Sequence, residues 1–282
     1  MYSKKDLRYE FTLSNGSFDG SGNNKLSISN VKSSFRCDSY GSYGGFNGEI
    51  VIFGLSAERL SLLSGKGIGT WAVATDAQVD VYVGDNKIFS GGIFGSYANM
   101  NGQPETALVL NAVAGLNLKK KSSSSFSLAG GVDVENILSA ICKLNGYGFN
   151  AVNLKGKVAQ NPHYSGSPMD QIISICTDFN LQYRLFDNIL TVWVSGNAID
   201  TVVPLVSPES GLIGYPVFTQ SGITFQTQFS TLLSQGRDVE LVTSLPNASG
   251  RYRLYVVEHF LSSWTENGNW HTICQGVKVK ND

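Results

Sequence analysis

The stretch that decides the fold runs from Ser207 to Gly276. It begins with Gly211-Leu212-Ile213-Gly214-Tyr215-Pro216, which reads as a turn. Apolar and polar residues then alternate through Ile223, Phe225, Thr227 and Phe229. The pattern pauses at Ser234-Gln235-Gly236, resumes over Val239-Glu240-Leu241-Val242, and pauses again at Pro246-Asn247-Ala248-Ser249-Gly250. A long alternation follows from Tyr252 to Phe260, and Trp270-His271-Thr272-Ile273-Cys274 closes the segment. Period-two alternation broken by Gly, Pro and Asn marks half-buried antiparallel strands. Four or five such strands suit a small barrel or sandwich, where closure removes unpaired edges.

Upstream, residues 119–200 change period. Val134, Ile137, Leu138, Ile141 and Leu144 fall on one helical face, with Asp133 placed to cap the helix and Gly146 to end it. A second helix is predicted over Pro168 to Phe179, with Ser167 as its cap and Pro168 at its first position. Ile137-Leu138-Ser139 corresponds to Ile172-Ile173-Ser174 at an offset of 35 residues, which suggests a duplicated helix–strand unit. The strands expected to follow are Tyr147–Val152 and Leu181–Phe186, with Asp187-Asn188 turning into Ile189–Val194. This is a small α/β domain. Lys119-Lys120-Lys121 and Ser122 to Ser125 read as the solvated boundary before it.

Residues 1–118 form a first β-domain on this reading. Strands are expected at Leu7–Leu13, Lys25–Val31 (with a bulge), Asn47–Leu55, Thr70–Ala74, Val79–Val83, Lys87–Gly92 and Thr106–Val113. Ile50-Val51-Ile52-Phe53 suits a strand buried on both faces. Ser56 caps a short helix over Ala57–Leu63, with Glu58 near its positive end. Asn15-Gly16-Ser17, Asp19 to Asn24 and Gly84-Asp85-Asn86 are turns, and Asp38 to Gly48 reads as an exposed Tyr/Gly/Ser-rich loop. The expected architecture is mainly β: two β-domains, 1–118 and 201–282, flanking the α/β domain at 119–200.

Composition limits the function. The chain has 282 residues, enough for two or three cores. Only 15% are charged, against about 25% in ordinary soluble proteins. A surface so poor in charge suits burial against other chains, or a neutral Ser/Asn-rich exterior. The net charge of −1 gives no electrostatic case for nucleic acid or an anionic membrane. No window approaches 18 consecutive apolar residues and Met1 to Asp6 has no signal-like core, so the chain is expected to fold in a cytoplasm without membrane insertion.

The residue types that carry chemistry are scattered. Cys37, Cys142, Cys176 and Cys274 have no metal-ligand spacing and read as reduced, structural thiols. His163 lies in the loop Asn161-Pro162-His163-Tyr164-Ser165-Gly166, with no nucleophile elbow or Asp partner. His259 and His271 fall on adjacent predicted strands, but a metal needs a third ligand and Glu258 points to the other face. Asp76 with Asp80, and Glu49 with Glu58, form no defensible acid/base pair. Gly41-Ser42-Tyr43-Gly44-Gly45 lacks the ending of a phosphate loop. No catalytic residue, metal site or cofactor is expected, and the chain reads as an assembly part.

The motifs in order carry a resemblance. Pro208, Gly211 to Gly214, Pro216, the Leu232-Leu233-Ser234-Gln235-Gly236 step, Gly250, Val256-Val257-Glu258-His259 and Trp270 resemble the C-terminal part of baseplate hub proteins of contractile-tailed phages, the Mu-like tail proteins in particular. Phe53-Gly54-Leu55-Ser56 and Ile88-Phe89-Ser90-Gly91 match more weakly, and Gly65 to Trp71 departs from the longer, more apolar lead of relatives. The resemblance implies two tube-like β-barrels per subunit and a homotrimer whose six barrels form a ring. That ring would join the tail tube protein to the central spike protein, touch other baseplate proteins, and pass the tape measure protein and DNA. It would belong to the tail baseplate of a virion. Other classes consistent with the sequence are a hub of another injection machine, such as a secretion-system spike base, a siphophage distal-tail protein, and a cell-wall-cleaving enzyme.

Overall fold

A computed structural model of the chain describes residues 5–14, 17–18, 21–40, 45–64, 77–102 and 104–279. The expected strand at Thr70–Ala74, the departure at Gly65 to Trp71, the loop residues 41–44, Asp76, and the turn residues 15–16 and 19–20 lie outside the described residues.

The first part holds β1 (Arg8–Leu13), β2 (Lys25–Ile28), β3 (Ser33–Tyr40), β4 (Phe46–Phe53), α1 (Ala57–Leu63), β5 (Ala77–Val83), β6 (Asn86–Asn99) and β7 (Ala107–Val113). The middle holds α2 (Leu116–Lys120), β8 (Phe126–Ser127), β9 (Gly131–Asp133), α3 (Val134–Leu144), β10 (Gly148–Val152), β11 (Val158–Gln160), β12 (His163–Tyr164), α4 (Pro168–Asp178), β13 (Leu181–Phe186) and β14 (Ile189–Val194). The last part holds β15 (Leu205–Val206), β16 (Leu212–Thr219), β17 (Gly222–Gln228), β18 (Asp238–Leu241), β19 (Gly250–Ser263) and β20 (Trp270–Lys278).

Most strands join one large sheet, in the order β16-β17-β20-β19-β3-β4-β7-β6-β5-β1-β2, with β18 and β15 branching from β19. The mainly β reading holds, with the two β regions connected through a shared strand. One edge of β19 pairs first with β18 (Asp238↔Arg253) and then, beyond an irregularity between Leu254 and Val256, with β3 (His259↔Cys37). The irregularity belongs to the pairing with β20 on the other edge, where β19 carries one extra residue.

Three apolar clusters form around this sheet. The first takes residues from Leu7 to Ala112, centred on Phe11, Phe35 and Phe89, and reaches across to Leu261 at the end of β19. The second packs α3 and α4 on the three-stranded sheet β10-β14-β13. The third takes residues from Val206 to Cys274. Helix α4 starts where its sequence demands. The Ser167 hydroxyl accepts from the Asp170 N–H, and the Asp170 carboxylate accepts from the Ser167 N–H, so two orphan donors are satisfied together. The β13–β14 turn places Asp187 and Asn188 at φ of 49° and 59°, the left-handed conformation that Asp and Asn tolerate in a tight hairpin.

Several expectations need correction. Asp38–Tyr40 and Phe46–Gly48 are strand, not loop: β3 and β4 pair from Ser33↔Ile52 to Ser39↔Phe46. β4 alternates, with Ile50 and Ile52 buried and Glu49 exposed, so it has one core face and not two. The Lys25 strand ends at Ile28 with no bulge, because Asn30 turns the chain at φ 57°. The Gly211–Pro216 turn is the start of β16, irregular between Ile213 and Val217. Leu144 ends α3 at 78% exposed, off the buried face. Asp133 precedes α3 without a side-chain capping bond. Lys119 and Lys120 belong to α2.

Candidate functional site

The residues expected to carry no chemistry are dispersed in the fold. His163 is exposed on β12, paired with Ser127. His259 and His271 do sit on adjacent strands. His259 opposes Thr272 and Phe260 opposes His271, so the two imidazoles point to opposite faces of the sheet. His259 Nδ1 lies 2.8 Å from Thr272 Oγ1, and its ring meets Phe229 edge-on. Burial lowers its pKa to about 4. His271 stacks on Phe260. Glu258 faces Arg36 across β3 at 3.3 Å. All four cysteines are free and buried, and burial pushes Cys142 and Cys176 up to about 12. Such thiols are poor nucleophiles. Among the described residues, no group of three His, Cys, Asp or Glu is arranged to hold a metal. No helix among them is long and apolar enough to cross a membrane.

The polar groups that do converge were not singled out by the sequence. They lie where the three regions meet. Alternation along β13 buries Leu181, Tyr183 and Leu185 against the helices, which turns Gln182, Arg184 and Phe186 to the opposite face. That face is covered by the loop from Thr231 to Arg237, β19 and the start of β6, and between them lies a cavity of about 360 Å³. Trp193 of β14 is fully buried at the same junction. It packs so tightly on Gly236 (φ +82°) that a Cβ there would stand 2.6 Å from the indole. The loop is also tied by backbone bonds, from Ile199 N to Gly236 O at 2.8 Å and from Gly236 N to Leu254 O at 2.8 Å.

Charge is matched unevenly around the cavity. Lys87 reaches Asp80 at 2.9 Å and Asp187 at 2.5 Å. Burial opposes its charge, but the two carboxylates outweigh this and raise its pKa. Arg237 clamps Asp200 through Nε at 3.0 and 3.1 Å. Burial alone would raise Asp200, and the guanidinium brings it below the usual carboxylate range. Ser39 donates to Gln235 Oε1 at 2.5 Å.

An outer edge is the second notable surface. Among the described residues, β16 pairs with β17 alone. Phe218 opposes buried Ile223 and so lies on the core-facing side, yet it is 53% exposed. Tyr215 and Val217 beside it are exposed too.

No known sequence family matches the chain. No curated protein matches it in sequence either. Solved structures do match in fold. The 43 kDa tail protein of prophage MuSo2 from Shewanella oneidensis superposes with a TM-score of 0.68 at 6% identity, over 98% of this chain and 97% of that one. The tail protein from Neisseria meningitidis MC58 gives 0.65 at 9% identity, covering 96% of each chain. The E. coli c3393 protein, a type VI secretion component described as similar to T4 tail proteins gp27 and gp5, gives 0.64 at 11% identity over 89% of this chain and 74% of that one. The chain therefore has the fold of these tail and type VI secretion proteins.

Proposed function

We propose that this chain is a structural hub subunit of a phage tail baseplate. Three copies form a ring in which residues 1–118 and 201–282 of each serve as two tube-like barrels, with residues 119–200 outside it or below it. One ring face docks the tail tube protein and the other the central spike protein. Other baseplate proteins pack around it, and the lumen passes the tape measure protein and DNA. The ring is assembled in a host cytoplasm and resides in the virion.

One observation carries the reading: β19 holds both β regions in a single sheet, side by side. A ring that converts three-fold into six-fold symmetry needs two modules fixed in this way, because a hinge between them would blur the spacing. The fold likeness to tail proteins along nearly the whole chain supports the same reading. So does the uncovered apolar edge at β16, a surface suited to a neighbouring subunit. A chain near neutrality suits a conduit, since a basic lumen would retain DNA.

Light scattering of the full chain, alone and with its spike protein, tests the trimer. A mass three times the 30.4 kDa chain is expected. A monomer under both conditions overturns it. Top views by electron microscopy should show six lobes. The likeness to a secretion component supports a second reading, a hub of another injection machine, with the same subunit geometry. Gene neighbours separate the two. The role is structural and not enzymatic, and turnover of cell-wall glycan by the pure protein would refute that.

A further inference from the structure

We propose that the cavity between the three regions is a binding site for a small organic anion, a carboxylate or phosphate on an apolar body. Its volume of about 360 Å³ falls in the range of small-ligand sites.

The argument starts from an imbalance of charge. Three cations line the cavity, and no carboxylate does among the described residues. Lys87 and Arg237 have their own carboxylates on its margin. Arg184 has none. Its Nε is buried without an acceptor, its guanidinium lies 5.7 Å from the Phe186 ring, and Asp200 acts on it only at a distance, without a bond. The Ser234 hydroxyl, on the same lining, is also buried without a partner. Burial, with Arg237 nearby, lowers the Arg184 pKa despite Asp200.

Buried charges are costly when unpaired, and buried donors are nearly always satisfied. The Arg184 Nε and the Ser234 hydroxyl, both buried without a partner on the cavity wall, therefore point to an acceptor supplied from outside. Carboxylate and phosphate oxygens match the guanidinium fork and bond to it in pairs. Phe46, Ile88, Phe186 and Val257 add apolar walls, which suit a hydrocarbon body behind the anionic head. A cation is excluded by the three positive charges. A neutral molecule would leave Arg184 with the distant Asp200, shared with Arg237, as its counter-charge. This assignment stands apart from the hub reading, because it concerns one subunit and needs no ring.

Thermal unfolding of the full chain tests it, using sodium benzoate and phenyl phosphate as probes. Benzamide and sodium chloride at matched ionic strength are the controls. The wild-type protein should show a saturable rise in Tm of about 2–5 °C with either anion at tens of millimolar, and none with the controls. Arg184→Met should remove the rise while leaving the unliganded Tm equal or higher, since the guanidinium has no protein partner to orphan. Arg184→Gln is the second variant, and should lose the rise as well. The proposal is overturned if neither anion stabilises the wild type, if benzamide does so equally, or if the variants keep the rise. Unfolding of both variants would make Arg184 a structural residue, and that too overturns it.

Discussion

Strands β2 and β16 terminate the same sheet at opposite ends and handle exposure differently. β2 is four residues long, turns Leu26 and Ile28 onto the first core, and shows Lys25 and Ser27 to solvent. A short edge with an outward lysine discourages further pairing. β16 is eight residues long and leaves Tyr215, Val217 and Phe218 bare. The cores behind the two edges differ as well. The first cluster is the larger and gathers side chains from β1 to β7. The third is smaller and is buttressed by Trp193 of the middle region against Gly236. The contrast teaches that both regions lean on neighbours, the first on Leu261 of β19 and the third on Trp193, but that the C-terminal end of the sheet carries the more exposed apolar edge strand.

The largest test of that contrast is Trp193→Ala. Emptying a fully buried indole should cost about 4 kcal/mol, and hydrogen exchange should quicken in residues 231–241 before β4 or β7. Equal quickening in both regions would erase the asymmetry. Acid offers the next test, through the seam between the regions. The pKa of His259 is lowered from 6.5 to about 4, so its neutral form is favoured in the fold. The associated stability is intact above pH 6.5 and is lost as pH falls toward 4, because the unfolded chain takes up the proton first. About 3 kcal/mol should disappear across that window at 1.36 kcal/mol per unit. His259→Asn should unfold with a flatter pH profile, and an unchanged profile would place the acid sensitivity elsewhere.

A smaller effect is expected from Gly236→Ala. The methyl meets the indole and must adopt φ +82°, a loss of about 2 kcal/mol in chemical denaturation. Wild-type stability in that variant would show that Trp193 can retreat. Least of all should charge at the edges change folding. Phe218→Lys and Ser27→Lys should each move monomer stability by under about 0.5 kcal/mol. Only the first should weaken self-association in sedimentation, and a matching loss from Ser27→Lys would undo the distinction drawn between the edges.

Elements with local signals were legible in the sequence. α1 and α4 announced themselves by spacing and caps, α3 by spacing alone, and the β13–β14 hairpin by Asp187-Asn188. β3 was missed because its inward positions are Phe35, Cys37 and Ser39, and only the first looks like core. All three are buried, yet Ser39 is held by Gln235, a partner 196 residues away. The expected strand Lys87–Gly92 falls short of β6, which continues through Gly91, Gly92 and Gly95 to Asn99. In the sheet Gly91 and Gly92 make room for Phe89 and Leu116, which a Cβ would strike at 2.8 and 2.7 Å. Arg184 fits the alternation of β13 as an ordinary polar-face residue. Nothing local reveals that the far side of that strand is covered, since the cover comes from residues 231–237 and β19.

The partnership of β3 with β19 also sets a timetable for synthesis. The N–H of Leu7 is satisfied by Ser263, 256 positions later. At about 5–20 residues per second, a ribosome needs tens of seconds to deliver that partner. Until then one side of β3 has no mate, and the first core lacks Leu261. The nascent chain must therefore wait, exposed, until Ser263 has emerged, which makes the interval before β19 arrives the period in which a chaperone would matter most.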